Sequence, residues 1–329
     1  MEEFKRLIKL GVKKNASDIH LVSGAVPYFR IARILYPVKK PIVTEKNLDV
    51  IMRTLLSQDQ AKILKDRGSV DLGLEIDGVL LRINVHRQTE GLGMSIRLLP
   101  MEIPSKDDIG LTDKILEITK MTEGFVIISG PAGCGKSTSL ATLIEIMNQT
   151  SSYHIMTLED PIEYRFKNKK SLIEQRQLGT DFKTFPEALQ GVLRQDPDVL
   201  VVGEMRDPET ISLALTAAET GHLVLSTLHA PNASEAVERI VNVFDGMEQQ
   251  QVLVQLAATL QMVVAQRLLP AKKGGLVAAR EILVTNSAVE NAIRQNNLST
   301  IRSAIQTGRR YGMISLEQSI KELKAKNIL

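Results

Sequence analysis

Gly130-Pro131-Ala132-Gly133-Cys134-Gly135-Lys136-Ser137-Thr138 follows the apolar run Phe125 to Ile128 and satisfies the spacing G-x-x-x-x-G-K-[ST] in full. Glycines at these positions let backbone N–H groups turn inward around phosphate oxygens. Lys136 reaches the β and γ phosphates, and the Ser137 hydroxyl is placed to ligand Mg2+. A buried strand comes before the loop. After it Leu140, Leu143, Ile144 and Met147 recur at helical spacing, so the phosphates would rest on a helix N-terminus. A Gly-rich turn matching by chance is the alternative, and it does not account for a strand before and a helix after. The sequence therefore predicts a site for a nucleoside triphosphate, ATP with Mg2+, formed by Gly130 to Thr138.

Outward from the loop, apolar strands alternate with capped helices. Strands are predicted at Phe125 to Ser129, His154 to Leu158, Val199 to Val202 and Leu223 to Leu228. Thr184-Phe185-Pro186-Glu187 reads as a capping-box start, Asp207-Pro208-Glu209 as an N-cap with proline at the first helical position, and Gly221 as a helix stop. This alternation predicts an α/β fold with a largely parallel sheet covered by helices and a ligand at the carboxyl ends of the strands. From Glu248 onward Leu253, Leu256, Leu260, Val263 and Val264 fall on one helical stripe, which predicts a terminal helical bundle. The first hundred residues differ. Phe4, Leu7, Ile8 and Val12 share one face of a charged amphipathic helix, and Asp18 to Val22, Leu72 to Ile76 and Leu80 to Val85 alternate as strands do. With turns at Asp77-Gly78 and Gly91-Leu92-Gly93, this is a small α+β domain over residues 1–99. A proline-containing linker over 100–111 separates it from the half that carries the phosphate loop, 112–329.

Composition narrows the function. The net charge of +3, from 41 basic and 38 acidic residues, makes no argument for bulk binding to nucleic acid. With no Trp and 4% aromatic residues there is little material for a base-stacking platform. No secretory signal stands at Met1, and no apolar run approaches the roughly 18 residues that span a bilayer. A cytoplasmic protein is expected, with any membrane association made through a partner. The one cysteine, Cys134, rules out an intrachain disulfide and a multi-cysteine zinc cluster.

Three further clusters carry candidate chemistry. Val199 to Glu204 is a buried strand ending in a carboxylate, where an acid holds Mg2+ through water or orients the attacking water. Glu204 is the candidate general base, with a surface pair to Arg206 as the other reading. Thr157-Leu158-Glu159-Asp160-Pro161-Ile162-Glu163-Tyr164 places acids just past another strand, and an isolated turn of this kind is as often solvent-facing. Thr216 to His229 brackets a strand with His222 and His229, either of which suits a phosphate. A lone histidine is more often structural. Two histidines seven residues apart without a cysteine do not make a zinc signature.

In this order after the loop, the clusters resemble the secretion ATPase superfamily of type II secretion and type IV pili, most of all its pilus retraction branch. Ser17-Asp18-Ile19-His20-Leu21 is similar to that family's N-terminal signature. The resemblance spans nearly the whole chain. It implies a RecA-like P-loop ATPase core behind a small PAS-like N-terminal domain, assembled as a homo-hexamer. Glu204 would then activate water. Glu159, Asp160 and Glu163 would contribute acid-loop contacts, with Ser137, Glu159, Asp160 and Glu204 around Mg2+. His222 and His229 would contact the γ-phosphate side, and Arg82 and Arg97 would reach nucleotide held by a neighbouring subunit. The function implied is an ATP-hydrolysing motor for pilus retraction and twitching motility, acting on an inner-membrane platform protein. Departures exist: Glu90 where relatives often carry a basic residue, and Glu290 and Gln295 within Ala288-Val289-Glu290-Asn291-Ala292-Ile293-Arg294-Gln295, whose counterpart in retraction motors reads close to A-I-R-N-L-I-R-E. An assembly, secretion or DNA-uptake ATPase of the superfamily, a slow regulatory nucleotide-binding protein and a helicase are the competing readings. The missing four-cysteine zinc module separates the chain from extension and secretion motors.

Overall fold

A computed structural model describes residues 1–31, 34–99 and 102–329. They group into two units, one of Met1–Glu102 with Pro161–Arg165, the other of Ile103–Asp160 with Phe166–Leu329. Of the segment expected as a linker, Pro100 and Met101 lie outside the described residues, and Ile103 to Leu111 group with the second unit.

In the first unit, strands β1 (Asp18–Val22), β2 (Tyr28–Ile31), β3 (Ile34–Pro37), β4 (Ser69–Ile76), β5 (Val79–Gln88) and β6 (Gly91–Leu98) form one sheet in the order β3-β2-β1-β6-β5-β4. Every pairing is antiparallel. The alternation read from the sequence sorts the faces. Ile19, Leu21, Leu81, Ile83 and Val85 are buried, while Asp18, His20, Arg82, Asn84 and His86 share the opposite face. Helices α1 (Glu2–Lys13), α2 (Glu45–Leu55) and α3 (Gln58–Arg67) add Phe4, Leu7, Ile8, Leu48, Ile51 and Leu64 to that core. Asp77 and Gly78 both take positive φ, as a two-residue hairpin turn requires. Gly91-Leu92-Gly93, expected as a turn, instead opens β6. A Cβ on Gly93 would lie 2.5 Å from His86 Nε2 across the pair, so this glycine serves close packing inside a strand.

The second unit is built on β7 (Gly124–Ser129), β8 (His154–Glu159), β9 (Leu172–Gln177), β10 (Val199–Val202), β11 (Leu223–Leu228), β12 (Leu260–Pro270) and β13 (Leu276–Val284), in the order β13-β12-β7-β11-β10-β8-β9. The β12–β13 hairpin is antiparallel and the other pairings are parallel. Every residue of β7, β10 and β11 is buried, as in a parallel sheet covered on both faces. Phe125 and Ile127 enter the core shared with helices α6 (Phe185–Val192), α7 (Pro208–Glu219), α8 (Ala233–Val241), α9 (Gly246–Thr259), α10 (Ser287–Arg294) and α11 (Leu298–Thr307). Val126 and Ile128 enter the opposite core, under α4 (Asp113–Leu116) and α5 (Lys136–Thr150). The last helix, α12 (Leu316–Ala325), packs on β13. Thr184 caps α6 by accepting from the Glu187 N–H. Asp207 caps α7 with Pro208 in the first turn.

The helical reading beyond Glu248 holds only as far as Thr259. Leu260, Val263 and Val264 lie in β12, which pairs with β7 on one side and β13 on the other. A strand flanked on both edges and covered on both faces is a continuous apolar run, and such a run also satisfies helical spacing. Helices resume at Ser287.

Candidate active site

Because β7, β8, β10 and β11 run parallel, their carboxyl ends share one edge of the sheet. The phosphate loop follows β7, Glu159 and Asp160 end β8, Glu204 follows β10 and His229 follows β11. The loop is shaped by sterics. Gly130 has φ +146, and a Cβ there would lie 2.4 Å from the Gln266 carbonyl oxygen and 2.5 Å from Cys134 Sγ. Gly135 begins α5 with no side-chain cap and no acidic residue in the first turn, so the N–H groups and positive end of the helix dipole are left for an anion.

A chain of polar contacts runs across this edge. Lys136 Nζ donates to the carbonyls of Gly130 at 2.9 Å and Pro131 at 3.1 Å, and lies 3.4 Å from His229 Nδ1. His229 Nε2 is 3.3 Å from Glu204 Oε1. Glu204 Oε2 accepts from Arg206 Nε at 2.9 Å and Nη2 at 2.7 Å, and Arg206 Nη1 is 3.7 Å from Asp160 Oδ2. Burial, and after it the charge of Lys136, hold His229 below the ordinary imidazole range, with Glu204 pulling the other way. A neutral ring has one N–H. The partners assign it to Nε2, facing the carboxylate, and leave Nδ1 to accept from Lys136. Glu204 thus makes the surface pair with Arg206 that the sequence allowed and, with its other oxygen, faces His229. Glu159 Oε1 accepts from Thr157 Oγ1 at 2.7 Å and Gln175 Nε2 at 3.1 Å. Among the described residues no group of three or more His, Cys, Asp or Glu is placed to hold a metal by itself.

Other predicted residues lie elsewhere. His222 precedes β11, at the amino edge of the sheet, where its carbonyl accepts from Gly124 N and its Nδ1 lies 3.0 Å from the Ala217 carbonyl oxygen. A six-residue strand is about 20 Å long, so within this subunit His222 does not reach the loop that His229 touches. Glu163 falls in Pro161–Arg165, which groups with the first unit. Arg82 and Arg97 sit there too, directly opposite each other on β5 and β6. Asp18, from the N-terminal signature, is opposite Arg97 on β1 and accepts from its Nε at 3.0 Å, which offsets the like-charge pair. Cys134 is buried, and burial pushes its thiol up, as for a small side chain packed beside the loop.

A family model for the type II/IV secretion system protein matches residues 2–324. The chain belongs to this family. The type IV pilus retraction ATPase PilT of Pseudomonas aeruginosa is 38% identical over 328 residues, which cover 99% of this chain and 95% of that protein. A twitching motility protein of Neisseria gonorrhoeae is 39% identical over 325 residues, 98% of this chain and 87% of that one. A crystal structure of the pilus retraction motor PilT with bound ADP superposes with a TM-score of 0.90 at 41% identity, covering 99% of this chain and 94% of that one. The mixed α/β fold expected from the sequence is therefore that of the solved pilus retraction motor.

Against this family background, the structure adds residues that the sequence did not single out. Gln266 on β12 is buried beneath the loop, where its Nε2 donates to the Cys134 carbonyl at 2.8 Å and its Oε1 accepts from Ser139 Oγ at 2.9 Å. Arg280 on β13 is buried beside it and donates to the carbonyls of Gly110 at 2.8 Å and Ile109 at 2.9 Å. A cavity of about 490 Å3 opens next to the first turn of α5, with Asp108, Ile109, Thr138, Leu268 and Leu323 in its wall. A polar residue inside an apolar strand was the only available signal.

Proposed function

We propose that this chain is an ATPase that works as a homo-hexameric motor for type IV pilus retraction, and so for twitching motility, at the cytoplasmic face of the inner membrane. The observation that carries the reading is the contact chain Lys136–His229–Glu204–Arg206 across the carboxyl edge of the sheet, beside an uncapped helix N-terminus. The names of the relatives that match both units supply the biological task. Among the described residues no helix is long and apolar enough to cross a membrane, and docking through a platform protein is part of what we propose.

In this reading the triphosphate lies on the backbone N–H groups of Gly133 to Thr138, within the loop Gly130 to Thr138, and its base enters the cavity beside Thr138. Lys136 exchanges the carbonyls of Gly130 and Pro131 for β and γ phosphate oxygens. Glu204 takes a proton from the attacking water as the new P–O bond forms and the bond to ADP breaks. His229 holds that carboxylate through Nε2–H and registers where Lys136 is through Nδ1. Ser137, with Glu159, Asp160 and Glu204 through water, would hold Mg2+ against the phosphates, and the ion would neutralise charge on the transferred group. The described acids form no complete metal cage, which fits an ion that takes its remaining ligands from phosphate and water. His222, Glu163, Arg82 and Arg97 would act at subunit interfaces, with the two arginines stabilising charge on a neighbour's nucleotide.

Mixing the Lys136→Ala and Arg97→Ala subunits tests this arrangement. Each variant alone should be inactive, and mixed rings should regain part of the turnover, because some interfaces pair an intact loop with an intact arginine. No recovery in mixed assemblies would reject the arginine's action across subunits. Hydrolysis that saturates with ATP without single-stranded DNA agrees with a pilus motor, whereas strict dependence on DNA would favour the helicase reading.

A further inference from the structure

Arg280 is an unusual residue to bury. It is 5% exposed, and among the described residues no carboxylate pairs with it. Removal from water lowers its guanidinium to about 10. Its donors go to neutral acceptors: Nη1 to the Gly110 carbonyl, Nη2 to the Ile109 carbonyl at 2.9 Å and Ser139 Oγ at 3.4 Å, and Nε to Gln266 Oε1 at 3.4 Å. A buried charge without a counter-ion is costly, and the catalytic chain makes no use of this one.

Gln266 connects it to the loop. Two donors, Ser139 Oγ and Arg280 Nε, converge on Gln266 Oε1, so the amide is oriented with its Nε2 toward the Cys134 carbonyl. The C=O and N–H of a peptide unit point in opposite directions. With the Cys134 oxygen turned down to Gln266, the N–H of Gly135 is turned up toward the mouth of the loop. The same arginine holds the chain at Ile109 and Gly110, six and seven residues after the boundary at Ile103 where the second unit begins.

We propose that Gln266 and Arg280 are positioning residues of the nucleotide site, which lock the Cys134–Gly135 peptide with its N–H aimed at bound phosphate and tie that peptide to the Ile109–Gly110 segment. The shape of the phosphate loop and the chain leading out of the ATPase unit are then set together. The inference rests on the ATP-binding reading above and adds to it which groups behind the loop prepare it.

Gln266→Glu separates positioning from folding. The carboxylate still accepts from Ser139 and gives Arg280 a counter-ion, so the fold is kept or strengthened. It cannot donate to the Cys134 carbonyl, and it adds negative charge behind the phosphates. In the full-length protein the thermal midpoint should stay equal or rise, KM for ATP should rise at least tenfold with kcat within about threefold, and the Kd of a fluorescent ADP analogue should follow KM. Ser139→Ala, which removes one of the two donors orienting the amide, should raise KM and Kd about threefold. If Gln266→Glu is folded and binds the ADP analogue within twofold of wild type, the proposal is wrong. Should that variant not fold, unchanged binding by Ser139→Ala overturns it equally. A wild-type protein that neither binds the analogue nor turns over ATP would instead defeat the ATPase reading itself.

Discussion

Glu204→Gln is the perturbation whose outcome can be worked out furthest. The glutamine has the same shape and its carbonyl oxygen can still accept from Arg206, while its NH2 takes the place of the oxygen facing His229, whose ring then moves its proton from Nε2 to Nδ1 to accept that donor. The variant also loses one charge in a partly exposed pair, where the side chains are 22% and 64% accessible. Ion pairs of this exposure contribute about 0.2–1 kcal/mol. For a domain of this size that corresponds to a fall in the thermal midpoint of no more than about 4 °C. Nucleotide binding should be unchanged, because the phosphate contacts come from the loop backbone and Lys136. A missing general base, by contrast, lowers the rate about 10²–10⁴-fold, or roughly 3–5 kcal/mol in the barrier. Loss of folding cannot imitate this, since the stability change is several times smaller than the barrier change. The assay is steady-state phosphate release beside titration with a fluorescent ATP analogue and a thermal melt on the same preparation. A folded variant that binds ATP and turns it over within tenfold of wild type would remove Glu204 from the role of base.

Three further outcomes follow from the site. His229, held below its unfolded value near 6.5, makes the native state bind fewer protons than the unfolded chain, so its contribution to stability is complete above pH 6.5 and declines as pH falls beneath it; turnover should decline over that acid limb as the ring takes a proton and repels Lys136, and a His229→Asn variant showing the same limb would exclude this residue as its source. Gly130→Ala should abolish nucleotide binding and destabilise the protein by roughly 2–4 kcal/mol, since the new Cβ meets backbone and sulfur at 2.4 and 2.5 Å in a positive-φ position, and unaltered ATP affinity would contradict the loop geometry. Cys134 should resist alkylation at pH 8 in the folded protein and react fully in denaturant, as followed by intact mass; rapid native labelling would show that the thiol is not buried.

The phosphate loop and the strands at the centre of the sheet could be read directly, because each is a short, wholly buried run bounded by turn residues. The edge strands could not. Leu172 to Gln177 has the sequence Leu-Ile-Glu-Gln-Arg-Gln, mostly polar, and becomes β9 only because β8 offers it a partner. Leu260 to Val264 continued the apolar rhythm of α9 without a break, and only the pairing with β7 shows that the backbone has changed from helix to strand. For the site, a carboxylate past a strand pointed to Glu204, while the sequence does not show that His222 and His229, at the two ends of β11, lie at opposite edges of the sheet within one subunit. The group beneath the loop was invisible for another reason. Gln266 is 127 residues from Ser139 and Arg280 is 170 from Gly110, and such partners are brought together only by the order of strands in the sheet.

If hydrolysis at this site retracts a pilus, a deletion strain observed by fluorescence microscopy of labelled pili will show it. Surface pili should be retained or increased in number but should not shorten, with retraction restored by the wild-type gene and not by Glu204→Gln. Pili that still retract in the deletion strain, or pili that are lost from the surface, would contradict it.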